Sequence, residues 1–157
     1  MDKEIFLAYL YSASISSVSY AFINRRFREP ARAWGYLVAS MALRVPIFLA
    51  PIPLVCLHTV KTTAIIVVGT VFTFTGITWA FISTSLSTLI ITVNERGEKD
   101  TLLGELNAAI GAGTIIGSIL SGLIFKYEGY TGVFAWSSLL VAISALLYYK
   151  AWKTLIT

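Results

Sequence analysis

Long apolar runs separated by short polar segments make up most of this 157-residue chain. A membrane-spanning helix needs about 20 mostly apolar residues to cross roughly 30 Å of hydrocarbon. The pattern therefore predicts an all-α, polytopic transmembrane helix bundle with about five spans. The predicted spans are residues 4–23, 33–57, 64–93, 102–125 and 131–149. The segments between them are too short for soluble domains, so residues 1–157 are predicted to form a single membrane domain.

Two of these spans carry features that bear on their shape. Pro46, Pro51 and Pro53 lie inside the second span and predict that it kinks or ends early, because proline lacks the N–H that a helix needs. The third span is longer than one crossing requires, so it is predicted to tilt or protrude.

The composition agrees with a lipid environment. Apolar residues make up 57% of the chain and charged residues only 13%, against about 25% charged in ordinary soluble domains. The net charge of +4 could suggest a nucleic-acid partner, since basic patches bind phosphate. The basic residues instead occupy short segments between apolar runs, which is an orientation signal. We therefore expect a lipid bilayer as the partner and no nucleic acid.

The distribution of basic residues predicts the sidedness of the spans. Eight lie on one predicted side of the membrane: Arg25, Arg26, Arg28, Arg32, Arg96, Lys99, Lys150 and Lys153. Three lie on the other: Lys3, Lys61 and Lys126. Basic loops remain in the cytoplasm, so we expect a multi-pass protein of the cell membrane with the N-terminus outside and the C-terminus inside. The leader Met1–Glu4 is net negative, so the first run is predicted to be a retained helix rather than a signal peptide.

The sequence contains no constellation typical of an enzyme. It has no Cys/His cluster, no paired carboxylates within a span, and no glycine loop with a lysine that would cradle phosphates. The single cysteine, Cys56, excludes an internal disulfide framework, and His58 beside it is interpreted as an interfacial side chain. We expect no enzymatic activity, no cofactor and no metal, and any transport is expected to be gradient-driven or facilitative.

Arg44 is the costliest residue in the predicted spans, because an arginine near the middle of a span costs about 2.5–3.5 kcal/mol on insertion scales. One interpretation is that it contacts an anionic substrate group or relays charge. The other is that the second span ends near Pro51 and the side chain snorkels to the outer headgroups.

Further candidates are hydroxyl and amide side chains within the spans. In the first span, hydroxyls on one face predict either a cavity wall or simple packing: Tyr9, Ser12, Ser16, Ser19 and Tyr20. In the third, the small and hydroxyl residues of one face favour packing: Gly69, Thr73, Gly76, Ala80, Ser83 and Ser87. Asn107 in the fourth span has a cavity and a packing interpretation that are equally open.

The fourth span also carries a stripe of small residues, since Gly113, Gly117 and Ser121 recur every four positions and Gly122 follows. Such stripes let the backbones of membrane helices approach one another. On spacing alone the stripe favours helix packing.

At these residues the chain resembles the major facilitator superfamily of secondary transporters. The run from Gly113 through Gly117 and Ser118 to Ser121 and Gly122 is similar to the family's G-x-x-x-G-P-x-x-G-G helix motif. Serines stand in place of the proline and of one glycine. The segments Glu95–Glu98 and Tyr127–Tyr130, with Gly104, Asn107 and Phe134, also resemble the last cytoplasmic loop and last two helices of a half-domain.

A second partial match lies in the first basic loop. The family places a G-x-x-x-D-R-x-G-R-R signature between the second and third helices of a half. Here Asn24 stands where the acid would be, Arg25 and Arg28 match, and both glycines are absent. The two motifs occur three helices apart, in the expected order and on the expected sides.

The resemblance implies a partial major facilitator half that corresponds to helices eight to twelve, or alternatively two to six, of a twelve-helix transporter. The former is preferred because the chain stops soon after the fifth span. Such transporters move a small solute by alternating access, with the site near the midplane between two halves. The chain is therefore expected to need a second membrane half or a homodimer, unless it is a truncated product. The alternative is a non-transporting assembly or regulatory subunit that binds other membrane helices.

Overall fold

A computed structural model describes residues 14–15, 18–19, 30–56, 61–93 and 98–156. Within these residues the chain is helical almost throughout and contains no strand. The helices are α1 (Pro30–Leu49), α2 (Pro51–Cys56), α3 (Lys61–Val93) and α4 (Lys99–Ile156). The prediction of an all-α chain is confirmed for this part.

The prolines interrupt the second predicted span, as expected. α1 ends at Leu49 and the short α2 begins at Pro51. Ala50 still donates its N–H to the carbonyl of Pro46 at 2.9 Å. Pro51 and Pro53 have no N–H to donate to the preceding turn, so the helix cannot continue regularly through them.

α4 differs from its prediction, because no extended loop separates the fourth and fifth predicted spans. Its 58 residues are helical on both sides of a single non-helical residue, Gly129, with φ 65° and ψ −160°. The loop predicted at 126–130 is thus reduced to one residue. A glycine adopts this conformation without a Cβ clash, so one position is enough to break the helix axis. We call residues 99–128 the first arm of α4 and residues 130–156 the second arm.

The ends of α4 also extend beyond the predicted spans. The helix begins at Lys99, three positions before the predicted start at Leu102, and Leu102 donates its N–H to the carbonyl of Glu98 at 3.1 Å. Asp100 lies in the first turn, where a negative charge interacts favourably with the helix dipole. At the other end the helix continues to Ile156 rather than ending near Tyr149.

The core lies where α1 packs against α3. It is built from buried apolar side chains of these two helices: Ala33, Leu37, Ala80, Ile82 and Leu89. The second arm of α4 packs on α1 as well, since the rings of Trp34 and Tyr148 lie 6.4 Å apart. α1 therefore contacts both α3 and the second arm.

Three helical stretches of the described residues are long and apolar enough to cross a membrane. They are Arg32–Pro53, Gly69–Thr92 and Lys99–Thr154. The last has 56 residues, which corresponds to about 84 Å of helix and is divided by the break at Gly129. The first predicted span, residues 4–23, lies almost entirely outside the described residues, so the count of five spans stays a prediction.

Candidate functional site

Arg44 lies deep within the apolar part of α1. Along the stretch Arg32–Pro53, it is about 18 Å from the first end and about 13 Å from the second at 1.5 Å per residue. Thr78 of α3, which binds Arg44, lies about 13 Å from the Gly69 end and about 21 Å from the Thr92 end of the stretch Gly69–Thr92. The guanidinium is therefore near the middle of two stretches that can span a membrane.

The guanidinium is bound to α3 by two hydrogen bonds. Nε donates to the Thr78 hydroxyl oxygen at 2.9 Å, and Nη2 donates to the Thr75 backbone carbonyl at 3.1 Å. This geometry favours the interpretation of Arg44 as an interior residue over snorkelling, because the charged group bonds to the neighbouring helix rather than pointing towards an end of α1.

The Thr78 hydroxyl is oriented to accept the bond from Arg44. Its own proton can be donated to the carbonyl of Phe74 at 2.9 Å or to that of Thr75 at 3.0 Å. Such bonding to the helix's own carbonyls is common for threonine. With its proton directed towards α3, the hydroxyl oxygen presents a lone pair to Arg44, and the Thr78 side chain is almost completely buried.

The two bonds occupy one edge of the guanidinium. The Thr78 oxygen and the Thr75 carbonyl oxygen are only 3.0 Å apart, so they are contacted by neighbouring N–H groups on the Nε side of the planar group. A guanidinium has five N–H donors in a fixed fork. Within the described part of the chain, both N–H groups of Nη1 and the second of Nη2 have no acceptor. The second N–H of Nη2 and the neighbouring N–H of Nη1 are parallel, and we call this pair the end-on fork.

The same guanidinium lies over the ring of Trp79. The guanidinium carbon lies 5.5 Å from the ring centroid, within the range of a cation–π contact. Arg44 is partly buried and Trp79 is 39% exposed. α3 thus supplies an aromatic wall and two acceptors, and neither hydrogen-bonding acceptor carries a formal charge.

α3 carries other polar atoms that the hydrophobic pattern did not single out. The hydroxyl oxygens of Thr75, Thr84 and Ser85 are buried and accept or donate no hydrogen bond within the described residues. On the face predicted to pack, Ala80 does lie in the core, and Thr73 donates to the carbonyl of Gly69 at 2.8 Å. Threonines spaced as Thr75 and Thr78 occur in many membrane helices, so the sequence held no signal that this pair binds Arg44.

The first arm of α4 is exposed along most of its length. Asn107 is exposed, and a Cβ added at Gly113, Gly117 or Gly122 would meet nothing within 4 Å. Ser121 is exposed as well. The glycines of the stripe therefore have no close neighbour among the described residues. Its interpretation as a packing motif stays a prediction that requires a contact from elsewhere.

Several candidates from the sequence lie outside the described residues. They are the three hydroxyl candidates of the first span and the residues of the first basic loop: Tyr9, Ser12, Ser16, Asn24, Arg25 and Arg28. In the described part, no group of three His, Cys, Asp or Glu is placed to hold a metal ion.

No protein family, no curated protein and no solved structure matches the chain.

Proposed function

We propose that this chain supplies one wall of a solute path in a membrane transporter of the major facilitator type, moving a small solute by alternating access. The observation that carries the proposal is Arg44, a charged and partly exposed side chain near the middle of two apolar helices. Charged residues at such depth face a bundle interior or an aqueous cavity, because contact with lipid is costly.

The exposed side of Arg44 therefore requires a partner other than lipid. In transporters built of two halves, the solute site lies near the midplane between them. A second membrane half, or a second copy of this chain, placed against Arg44 and Trp79 would cover the charge and enclose a path. The hydroxyls of Thr75, Thr84 and Ser85 would add polar character to the same helix.

A second candidate function rests on the first arm of α4. It is helical and apolar, and the other described residues leave it largely uncovered. Ile115 and Ile119 are 64% and 61% exposed, and a Cβ added at Gly113 or Gly117 would meet nothing within 4 Å. A non-transporting assembly or regulatory subunit would use such a surface to bind another membrane helix. This candidate needs no aqueous path at Arg44, and that difference can be tested.

The test is the accessibility of the site to water, which does not require a known solute. With Cys56 replaced by serine, Trp79→Cys is expected to react in native membranes with a small, membrane-impermeant methanethiosulfonate reagent, because these reagents modify only hydrated thiols. Ile119→Cys, exposed on the first arm, is the control and should stay unmodified in lipid.

The membranes should contain the chain together with whatever membrane protein co-purifies with it. If Trp79→Cys in that assembly is as unreactive as Ile119→Cys, there is no aqueous path at Arg44 and the transporter proposal fails. Reaction at Trp79→Cys should be followed by uptake measurements in proteoliposomes with neutral, cationic and anionic solutes. Saturable uptake that requires the chain would support the transporter proposal directly.

A further inference from the structure

We propose that the end-on fork of Arg44 binds a carboxylate or phosphate group of the solute, an inference that rests on the proposed function and names its substrate class. Two parallel N–H groups of a guanidinium match two oxygens of such a group in a bidentate arrangement. In Arg44 these groups are the N–H donors that have no acceptor among the described residues.

The orientation of the fork is set before any ligand binds. The Thr78 hydroxyl and the Thr75 carbonyl bind the Nε edge, and the guanidinium lies over the Trp79 ring. A planar group that is hydrogen-bonded along one edge and lies over an aromatic ring can change its orientation little, so the direction of the adjacent end-on fork is fixed as well. Rigidity of this kind lowers the entropy lost on binding.

The charge at the site selects the ligand. The two α3 acceptors are a hydroxyl and a carbonyl, so among the described residues the positive charge has no hydrogen-bonded counter-ion. An oxyanion supplies both the missing charge and the two acceptors. A neutral sugar would supply acceptors without charge, and a cation would be repelled.

A phosphate group could reach the protein either on a free solute or on a phospholipid. The depth of Arg44 favours the free solute, because headgroups lie beyond the ends of the apolar core and Arg44 is near its middle. The experiment therefore includes a lipid arm.

The binding assay uses Trp79 as the reporter in the purified full chain in an uncharged detergent. Replacing the other three tryptophans, Trp34, Trp136 and Trp152, by phenylalanine leaves Trp79 as the only indole. Its fluorescence is followed while inorganic phosphate or succinate is added at constant ionic strength, with chloride as the compensating anion. We expect a saturable change with both probes and none with glucose or choline chloride.

Variants in the same background test the residues. Arg44→Gln should abolish the response, and Arg44→Lys should weaken it at least about tenfold, because an ammonium has no planar fork. Thr78→Val should weaken it about threefold to tenfold by releasing the anchored edge. Thr73→Val is the matched control and should leave the response unchanged, since among the described residues the Thr73 hydroxyl bonds to the Gly69 carbonyl of its own helix.

The outcomes separate this inference from the proposed function. An unchanged response in Arg44→Gln, checked for helicity by circular dichroism, would overturn it, and so would the absence of any saturable response in the parent. A response to a short-chain phosphatidylglycerol but not to the free probes would make Arg44 a lipid site and overturn it as well. If the parent binds neither phosphate nor succinate but Trp79→Cys reacts with the impermeant reagent, Arg44 does not bind an oxyanion and the proposed solute path is still supported.

Discussion

Gly129 offers the sharpest test of the fold, because a single residue separates the two arms of α4. Its φ of 65° and ψ of −160° lie in a region that only glycine adopts readily. A Cβ added there would meet nothing within 4 Å. Gly129→Ala therefore creates no clash with neighbouring residues, and its effect is purely conformational.

The loss of stability expected for Gly129→Ala follows from the backbone conformation alone. A residue with a Cβ held in such a region costs about 1–3 kcal/mol. Gly111 is the matched control, since it is exposed in the first arm and also has nothing within 4 Å. Because Gly111 is helical, its replacement by alanine should stabilise the helix by up to about 1 kcal/mol. The two alanine variants are thus expected to change stability in opposite directions.

The free energy of unfolding can be measured by titrating the purified protein in mixed micelles with a denaturing detergent and following helicity by circular dichroism. Gly129→Ala should unfold at a lower fraction of denaturing detergent than the parent, and Gly111→Ala at an equal or higher one. If the two variants have equal stability, the left-handed break at Gly129 is not a feature of the folded chain, and α4 continues as one helix.

Three further predictions concern packing and topology. Ser138→Ala should destabilise the chain by at most about 1 kcal/mol in the same assay, because it removes one hydrogen bond of 3.3 Å to the backbone carbonyl of Val45 in α1. Its control is Ser144→Ala, which removes a bond to the Leu140 carbonyl within α4 and should have less effect. Gly132→Ala should destabilise more than either, since its Cβ would overlap that of Glu128; stability equal to the parent would mean that the arms do not meet there. In a chain without Cys56, a cysteine at Glu98 should resist an impermeant reagent in intact cells and one at Glu128 should react, and the reverse result would invert the topology.

Helix positions were largely predictable from the sequence, and the exact breaks were not. The apolar runs identified the regions of α1, α3 and α4, and the prolines predicted the interruption after Leu49. The charged residues Lys126 and Glu128 and the turn residue Gly129 predicted a loop between two apolar runs. In the structure Gly129 alone breaks the helix, because a glycine with positive φ can redirect the chain without a loop.

Of the candidate site, only Arg44, the residue with the highest cost of insertion into a membrane, was predictable from the sequence. A charge in an apolar run identified Arg44, but its acceptors lie 31 and 34 positions further along the chain. Periodicity describes which residues share a face of one helix. It does not describe how one helix is rotated against another, so Thr75, Thr78 and Trp79 could not be assigned to Arg44 before the packing was known.

The energetics of Arg44 indicate that its role is not to stabilise the helix pair. Interhelical hydrogen bonds in membranes average about 0.6 kcal/mol, and a cation–π contact contributes about 0.5–1 kcal/mol. The two bonds and the Trp79 contact together offset about 2 kcal/mol of an insertion cost of about 2.5–3.5 kcal/mol. Leucine at this position should therefore insert at least as well as arginine. Leucine cannot supply the end-on fork, which has no acceptor among the described residues. The energetics and the hydrogen-bond geometry therefore both assign the importance of Arg44 to this edge of its guanidinium.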